Sequence, residues 1–155
     1  MAKKIAIGAD HGGYVLKEKI KKILEKSGYR AEDVGTYSAE SCDYPEYGYT
    51  AAKKVSTGKA VKGIIVCKTG IGMAVIANKV PGVRAGVCSS KAEAISSRQH
   101  NDTNVLVLAA TKVSDRKALE ITRVWLKTKA LKGRHARRVR QIKAIEKKEF
   151  KKGKK

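Results

Sequence analysis

Cys67 ends the apolar run Gly63-Ile64-Ile65-Val66-Cys67 and opens a short glycine loop, Lys68-Thr69-Gly70-Ile71-Gly72. A thiol at a strand exit, near loop amides and the positive end of a following helix, is biased toward the thiolate. That form can act as a base or a nucleophile. The loop could also turn several backbone N–H groups toward an oxygen that becomes negative, and an enediolate or a phosphate would fit equally well. It is not a P-loop, because no Gly-Lys-Ser/Thr follows at the required spacing, nor is it G-x-G-x-x-G. Two histidines could move protons near neutral pH: His11, just after the first apolar run, and His100 in Arg98-Gln99-His100-Asn101-Asp102. Neither has a partner at metal-ligand spacing, so no metal is expected. Cys42, Cys67 and Cys88 form an odd set without C-x-x-C, which signals no disulfide framework. Cys42 and Cys88 read as packed small side chains. Arg134 and Arg138 are four apart, hence on one helical face, able to grip a phosphate between them.

The elements that must position these residues follow from periodicity. Lys3 to Ala9 reads as a buried strand, followed by the polar turn Asp10-His11-Gly12-Gly13. Val15, Leu16, Ile20, Ile23 and Leu24 recur at helical spacing over Tyr14 to Lys26, and Gly28 sits where a helix-ending glycine belongs. Further strands are expected at Tyr29–Val34, Gly63–Cys67, Arg84–Cys88 and Asn104–Ala109. Helices are expected at Glu46–Ser56, with Tyr44-Pro45 blocking an earlier start, and at Met73–Asn78. Others follow after a Ser89-Ser90 cap, over Asp115–Lys129, and from about Arg134. Strands alternating with helices predict an α/β fold: a three-layer Rossmann-like sandwich with a five-stranded parallel sheet and helices on both faces. Ligands in such folds gather beyond the carboxyl ends of the strands, which points to Asp10, His11, Thr36, Cys67 to Gly72, Ser89 and Thr111.

The 155 residues are enough for one domain with a real core, expected over 1–146, with a basic tail over 147–155. No apolar run approaches a membrane span, and Asp10 ends the first one too early for a signal peptide. With the cysteine usage, this points to a cytoplasmic protein. The charge is unusual: 35 Lys and Arg against 14 acids, a net +21. Such a field steers anions. For the lysine tail, a frayed solvated terminus is favoured over a nucleic-acid or membrane-surface anchor, since aromatics make up only 5% of the chain.

Taken together, the chain resembles the ribose-5-phosphate isomerase type B and galactose-6-phosphate isomerase subunit family. The resemblance is carried by Ile5 to His11, Asp43-Tyr44-Pro45, the Cys67 loop, Ala77-Asn78-Lys79, Ser97 to Asn104, and Gly133-Arg134-His135. It implies interconversion of an aldose phosphate and a ketose phosphate, most simply ribose 5-phosphate and ribulose 5-phosphate, without a cofactor. In that scheme His100 opens the sugar ring, and Cys67 takes a proton from C2 and returns one to C1. The amides from Lys68 through Gly70 and Ile71 to Gly72, with the Thr69 hydroxyl, hold the enediolate oxygen. Asp10, His11, Asp43 and Asn101 orient hydroxyls, and Arg134 and Arg138 hold the phosphate. The resemblance also implies a homodimer, or a dimer of dimers, with sites shared between chains. Two positions depart from the family pattern. Lys68 stands where Gly is usual, which would be strained at positive φ. Ala109-Ala110-Thr111-Lys112 replaces a Gly-Ser-Arg-like segment.

Overall fold

The computed structural model describes residues 1–152. Five strands, β1 (Lys4–Ala9), β2 (Arg30–Asp33), β3 (Lys62–Cys67), β4 (Ala85–Val87) and β5 (Val105–Ala109), form one parallel sheet in the order β2-β1-β3-β5-β4. Six helices are interleaved: α1 (Tyr14–Lys26), α2 (Tyr44–Ser56), α3 (Ile71–Ala77), α4 (Lys91–Asn101), α5 (Asp115–Lys127) and α6 (Arg134–Lys152). The α/β sandwich expected from the alternation is present, with five strands in the expected places.

Alternation along the strands divides the core in two. Ile5, Ile7, Ile64, Val66, Leu106 and Leu108 face α1, α4 and α5, whose Leu16, Ile20, Ala94, Ile121 and Trp125 complete one cluster. Ala6, Ile65, Cys67, Val105 and Val107 face α2 and α3, represented by Ala51, Ala52, Met73 and Ala77. Both faces of the sheet are therefore dry, which is why the strands read as nearly continuous apolar runs. The buried Trp125 indole N–H donates to Thr103 Oγ1 at 3.0 Å and ties α5 to the turn that enters β5.

Local chemistry sets the ends of the elements. Gly28, at φ +82°, follows α1, and its N–H and that of Tyr29 reach back to Glu25 and Leu24 carbonyls. Ser90 caps α4 by accepting the Glu93 N–H at 3.1 Å, as expected from the Ser-Ser pair. Pro45 was expected to block α2, yet the helix starts at Tyr44 with Pro45 in its first turn. There a missing N–H costs nothing, because the first turn has no internal acceptor for it. The last helix also differs: it continues through Lys148 and Lys151 to Lys152, where the reading from sequence had it fray after Glu146. Residues 153–155 of the expected tail lie outside the described residues.

Candidate active site

The strand order reverses at β1: β2 lies on one side of it, and β3, β5 and β4 follow on the other. The carboxyl ends of β1 and β3 thus border the crevice where open α/β sheets bind ligands. Asp10 and His11 leave β1 there, and Cys67 leaves β3. The Asp10 N–H donates to the Val66 carbonyl at 3.3 Å, which ties the two exits together. Asp10 is buried, and its carboxylate accepts the Gly13 N–H at 3.1 Å, shaping the turn into α1.

The Cys67 side chain belongs to the α2/α3 face and the residue is 5% exposed. Its sulfur is not surrounded by hydrocarbon alone. Gly70, in the left-handed region at φ +76°, folds the chain back so that its N–H donates to Cys67 Sγ at 3.1 Å. The sequence assigned the Gly70 amide to a substrate oxygen; here it serves the sulfur, where an N–H donor stabilises negative charge. Thr69 is exposed, and its hydroxyl accepts the Ile71 N–H at a long 3.4 Å.

Lys68 is not strained. Asp102 is the one non-glycine residue with positive φ among the described residues, so a lysine fits this position without backbone cost. Its carbonyl accepts both the Thr111 N–H (3.1 Å) and the Thr111 hydroxyl (2.6 Å). Thr111, in the place of an expected arginine, fastens the Lys68 loop by its backbone. The Lys68 stem lies over Gly12, where a Cβ would collide with it, so its ammonium stem spans the two loops of the crevice.

The segment after β2 supplies the far wall. Cys42, expected to be packed away, is only partly buried, and its N–H and its carbonyl oxygen each lie 3.2 Å from His11 Nδ1. Asp43 caps α2 by position, is exposed, and makes no side-chain capping bond. Tyr44 was missed as a site residue: its ring packs so closely on Gly72 that a Cβ there would come within 2.5 Å of Cζ. The signal was the Tyr-Pro pair itself, which was read as a helix breaker and as part of the family resemblance, with no role given to Tyr44.

His100, Asn101, Arg134 and Arg138 are elsewhere. α4 ends at Asn101, and β5 begins four residues later, level with Gly63 at the amino end of β3. Cys67 is level with Ala109 at the other end. The sheet between these levels spans about 13 Å at 3.3 Å per residue, far beyond a proton transfer within one chain. This second group is itself well ordered. Asp102 ends α4 at φ +45° and is held by Arg98 Nη1 (2.8 Å) and Arg84 Nη2 (3.2 Å). The His100 ring stacks on His135, with centroids 4.2 Å apart and planes 9° apart. Partial burial, and then the charges of His100, Arg134 and Arg138, hold the His135 imidazole below its ordinary value. His135 therefore marks where His100 and the two arginines converge, beside a cavity of about 200 Å³ lined by Gln99, Leu131 and Val139. Among the described residues no three His, Cys, Asp or Glu side chains are grouped to hold a metal ion. No helix among them is long and apolar enough to cross a membrane.

The candidate residues thus fall into two groups at opposite ends of the sheet. Its sequence matches the Ribose/Galactose Isomerase family over residues 5–142. It is 45% identical over 144 residues to ribose-5-phosphate isomerase B of Escherichia coli, covering 93% of this chain and 97% of that one. It is 37% identical over 139 residues to D-erythrulose-4-phosphate isomerase of Pectobacterium atrosepticum, covering 89% and 91%. Among solved structures, ribose-5-phosphate isomerase B of Clostridium thermocellum superposes with a TM-score of 0.91 at 49% identity, over 94% of this chain and 98% of that one. The Mycoplasma genitalium enzyme with bound ribulose 5-phosphate gives 0.91 at 36%, over 95% and 98%. This chain belongs to the ribose/galactose isomerase family.

Proposed function

We propose that the protein is an aldose–ketose isomerase of sugar phosphates that converts ribose 5-phosphate to ribulose 5-phosphate, with Cys67 as the base. The observation that carries this reading is the Gly70 N–H on the Cys67 sulfur, in the crevice where the sheet order reverses. The Cys67 thiolate takes the C2 proton of the open-chain aldose. The electron pair forms a C1–C2 double bond and leaves negative charge on O1. The O2 proton passes to O1, which becomes the C1 hydroxyl and leaves the charge on O2; the thiol then returns its proton to C1 as O2 becomes the ketone, restoring the thiolate. Atoms balance, and no redox partner or cofactor is needed. Asp10, His11, Asp43, the Thr69 hydroxyl and the amides around Lys68 and Gly72 surround the reacting carbons.

The separation of the two groups supports a site completed by a second copy of the chain. A two-fold pairing is reciprocal, so one contact would place His100, Asn101, Arg134 and Arg138 of each copy over the crevice of the other. His100 would then open the ring, and the arginines would hold the phosphate. Ile71 and Val75 on α3, Val87 on β4 and Ile95 on α4 are exposed apolar side chains available to such an interface. A coupled assay over a panel of aldose phosphates, with Cys67→Ala beside the parent, tests the reading. Turnover of ribose 5-phosphate that vanishes in the variant supports it; full turnover in the variant removes Cys67 as base.

A second reading keeps the chemistry and changes the sugar. It is favoured by Lys68, which puts an ammonium stem across the crevice. The same panel separates the two by their kcat/KM order.

A further inference from the structure

Helix α6 carries a cationic face that the isomerase site leaves unused. Nine of its 19 residues are Lys or Arg and two are acidic. His135, Val139, Ile142, Glu146 and Phe150 recur at three- and four-residue spacing and form the side turned to the domain. His135 stacks on His100, Val139 is buried, Ile142 lines a groove against α4 and β4, and Glu146 accepts the Gly82 N–H at 3.0 Å. Away from that side, Arg137, Arg140, Lys147 and Lys151 recur with Ala144 between them; all four are exposed, with Arg140 also edging the His100 cavity and Lys147 and Lys151 the hollow beside Pro81. The ridge from Arg137 to Lys151 is about 21 Å long at 1.5 Å per residue. It exists because the helix continues past residue 142, where the family match ends, instead of fraying.

Two pairs of cations spaced along a rigid rod match a row of phosphates. Duplex nucleic acid presents a negative charge about every 1.7 Å of its axis. A membrane surface fits less well, because a helix lying in a bilayer turns a broad apolar face outward. Here Val139 is buried, and Ile142, Ile145 and Phe150, although exposed, lie off the row from Arg137 to Lys151, on the inner half and its flanks. A single strand fits less well too, since the ridge offers no aromatic ring for a base to stack on. Arg134 and Arg138, assigned to the sugar phosphate, are not needed for the ridge. We infer that the outer face of α6 is a docking surface for the phosphodiester backbone of duplex nucleic acid, bound without sequence preference.

The test uses the full chain and fluorescent duplexes of about 20 base pairs, one DNA and one RNA, each in two unrelated sequences. Anisotropy is followed across a salt series, beside sedimentation with vesicles of phosphatidylserine and phosphatidylcholine. Binding should be equal for the two sequences of each duplex and stronger than to vesicles. The variant R137Q/R140Q/K147Q/K151Q should bind at least about tenfold more weakly and lose about three to four units of the log–log salt slope, near 0.9 per phosphate contact removed. A control with four cations removed elsewhere, K22Q/K26Q/K59Q/K117Q, should stay within about twofold of the parent. Isomerase turnover, retained in both, reports that each is folded. Should the fourfold variant fail to fold, R137Q/K147Q repeats the test with half the slope change. Equal weakening by the two sets, preference for vesicles, or no binding at low salt would overturn the inference.

Discussion

The Gly70 amide and the Cys67 sulfur stand 3.1 Å apart, joined by a hydrogen bond that exists because Gly70 is left-handed at φ +76°. A Cβ at Gly70 would also press on Val87 Cγ1 at 3.2 Å. Gly70→Ala should therefore cost about 1–2 kcal/mol of stability and displace the donor from the sulfur. Denaturant unfolding measures the first effect. The second should appear as a fall in kcat of at least about tenfold with a smaller change in KM.

Cys67→Ala should lower kcat/KM by roughly 10²–10⁴-fold, the usual worth of a positioned general base. The stability change should stay near about 1 kcal/mol, because a small side chain is trimmed at the edge of a core cluster. Steady-state kinetics and thermal melts of the same preparation separate the two.

Much of this half of the site was legible in the sequence. Apolar runs ending at Ala9 and Cys67 mark strand exits, and a parallel sheet brings such exits to one edge. What was not legible depends on backbone angles and on pairing order. Lys68 would strain the loop only at positive φ; φ at that position is not positive, and Thr111 clasps its carbonyl instead of offering a cation. The distance between His100 and Cys67 follows from register, Gly63 with Val105 and Cys67 with Ala109, which residue patterns do not encode. The length of α6 was hidden because lysines mask the inner spacing of Ile142, Glu146 and Phe150.

Asp33 joins α1 to the crevice. Lys17, fully buried, donates to its carboxylate at 2.6 and 2.7 Å, and the Gly35 N–H donates at 2.9 Å. Although burial alone would raise it, the Lys17 and Lys21 ammoniums and the Gly35 amide hold the Asp33 carboxyl below the usual range. Its contribution is thus present above the ordinary carboxylate value and lost as pH falls through the lowered one. Asp33→Ala should leave the buried Lys17 ammonium with Glu18 alone, at 3.2 Å, and cost about 3 kcal/mol, measured by urea unfolding at neutral pH.

His135 gives stability the same sign of pH dependence, in a higher window. Its value is below 6.5, so near that pH the unfolded chain binds more protons than the folded one. Stability should rise with pH through this window and fall below it, as charge enters the stack with His100. An NMR titration of the His135 ring should give a midpoint under 6.5, and His100→Asn should raise it.

Lys62 is half-buried against Trp125, and burial, with the Arg98 charge, lowers it to about 8. It should react with an acylating reagent at pH 8 well ahead of exposed lysines such as Lys22, scored by peptide mass spectrometry. Equal labelling at pH 8 would show an ordinary ammonium there.

The most direct test of a site shared between two chains mixes two inactive variants. Cys67→Ala and His100→Ala are unfolded together, refolded as an equal mixture, and assayed on ribose 5-phosphate. Random pairing makes half the dimers hybrid, each with one intact site, so activity should return to about a quarter of the parent value. A mixture as inactive as its parts would mean that His100 and Cys67 do not meet across two chains.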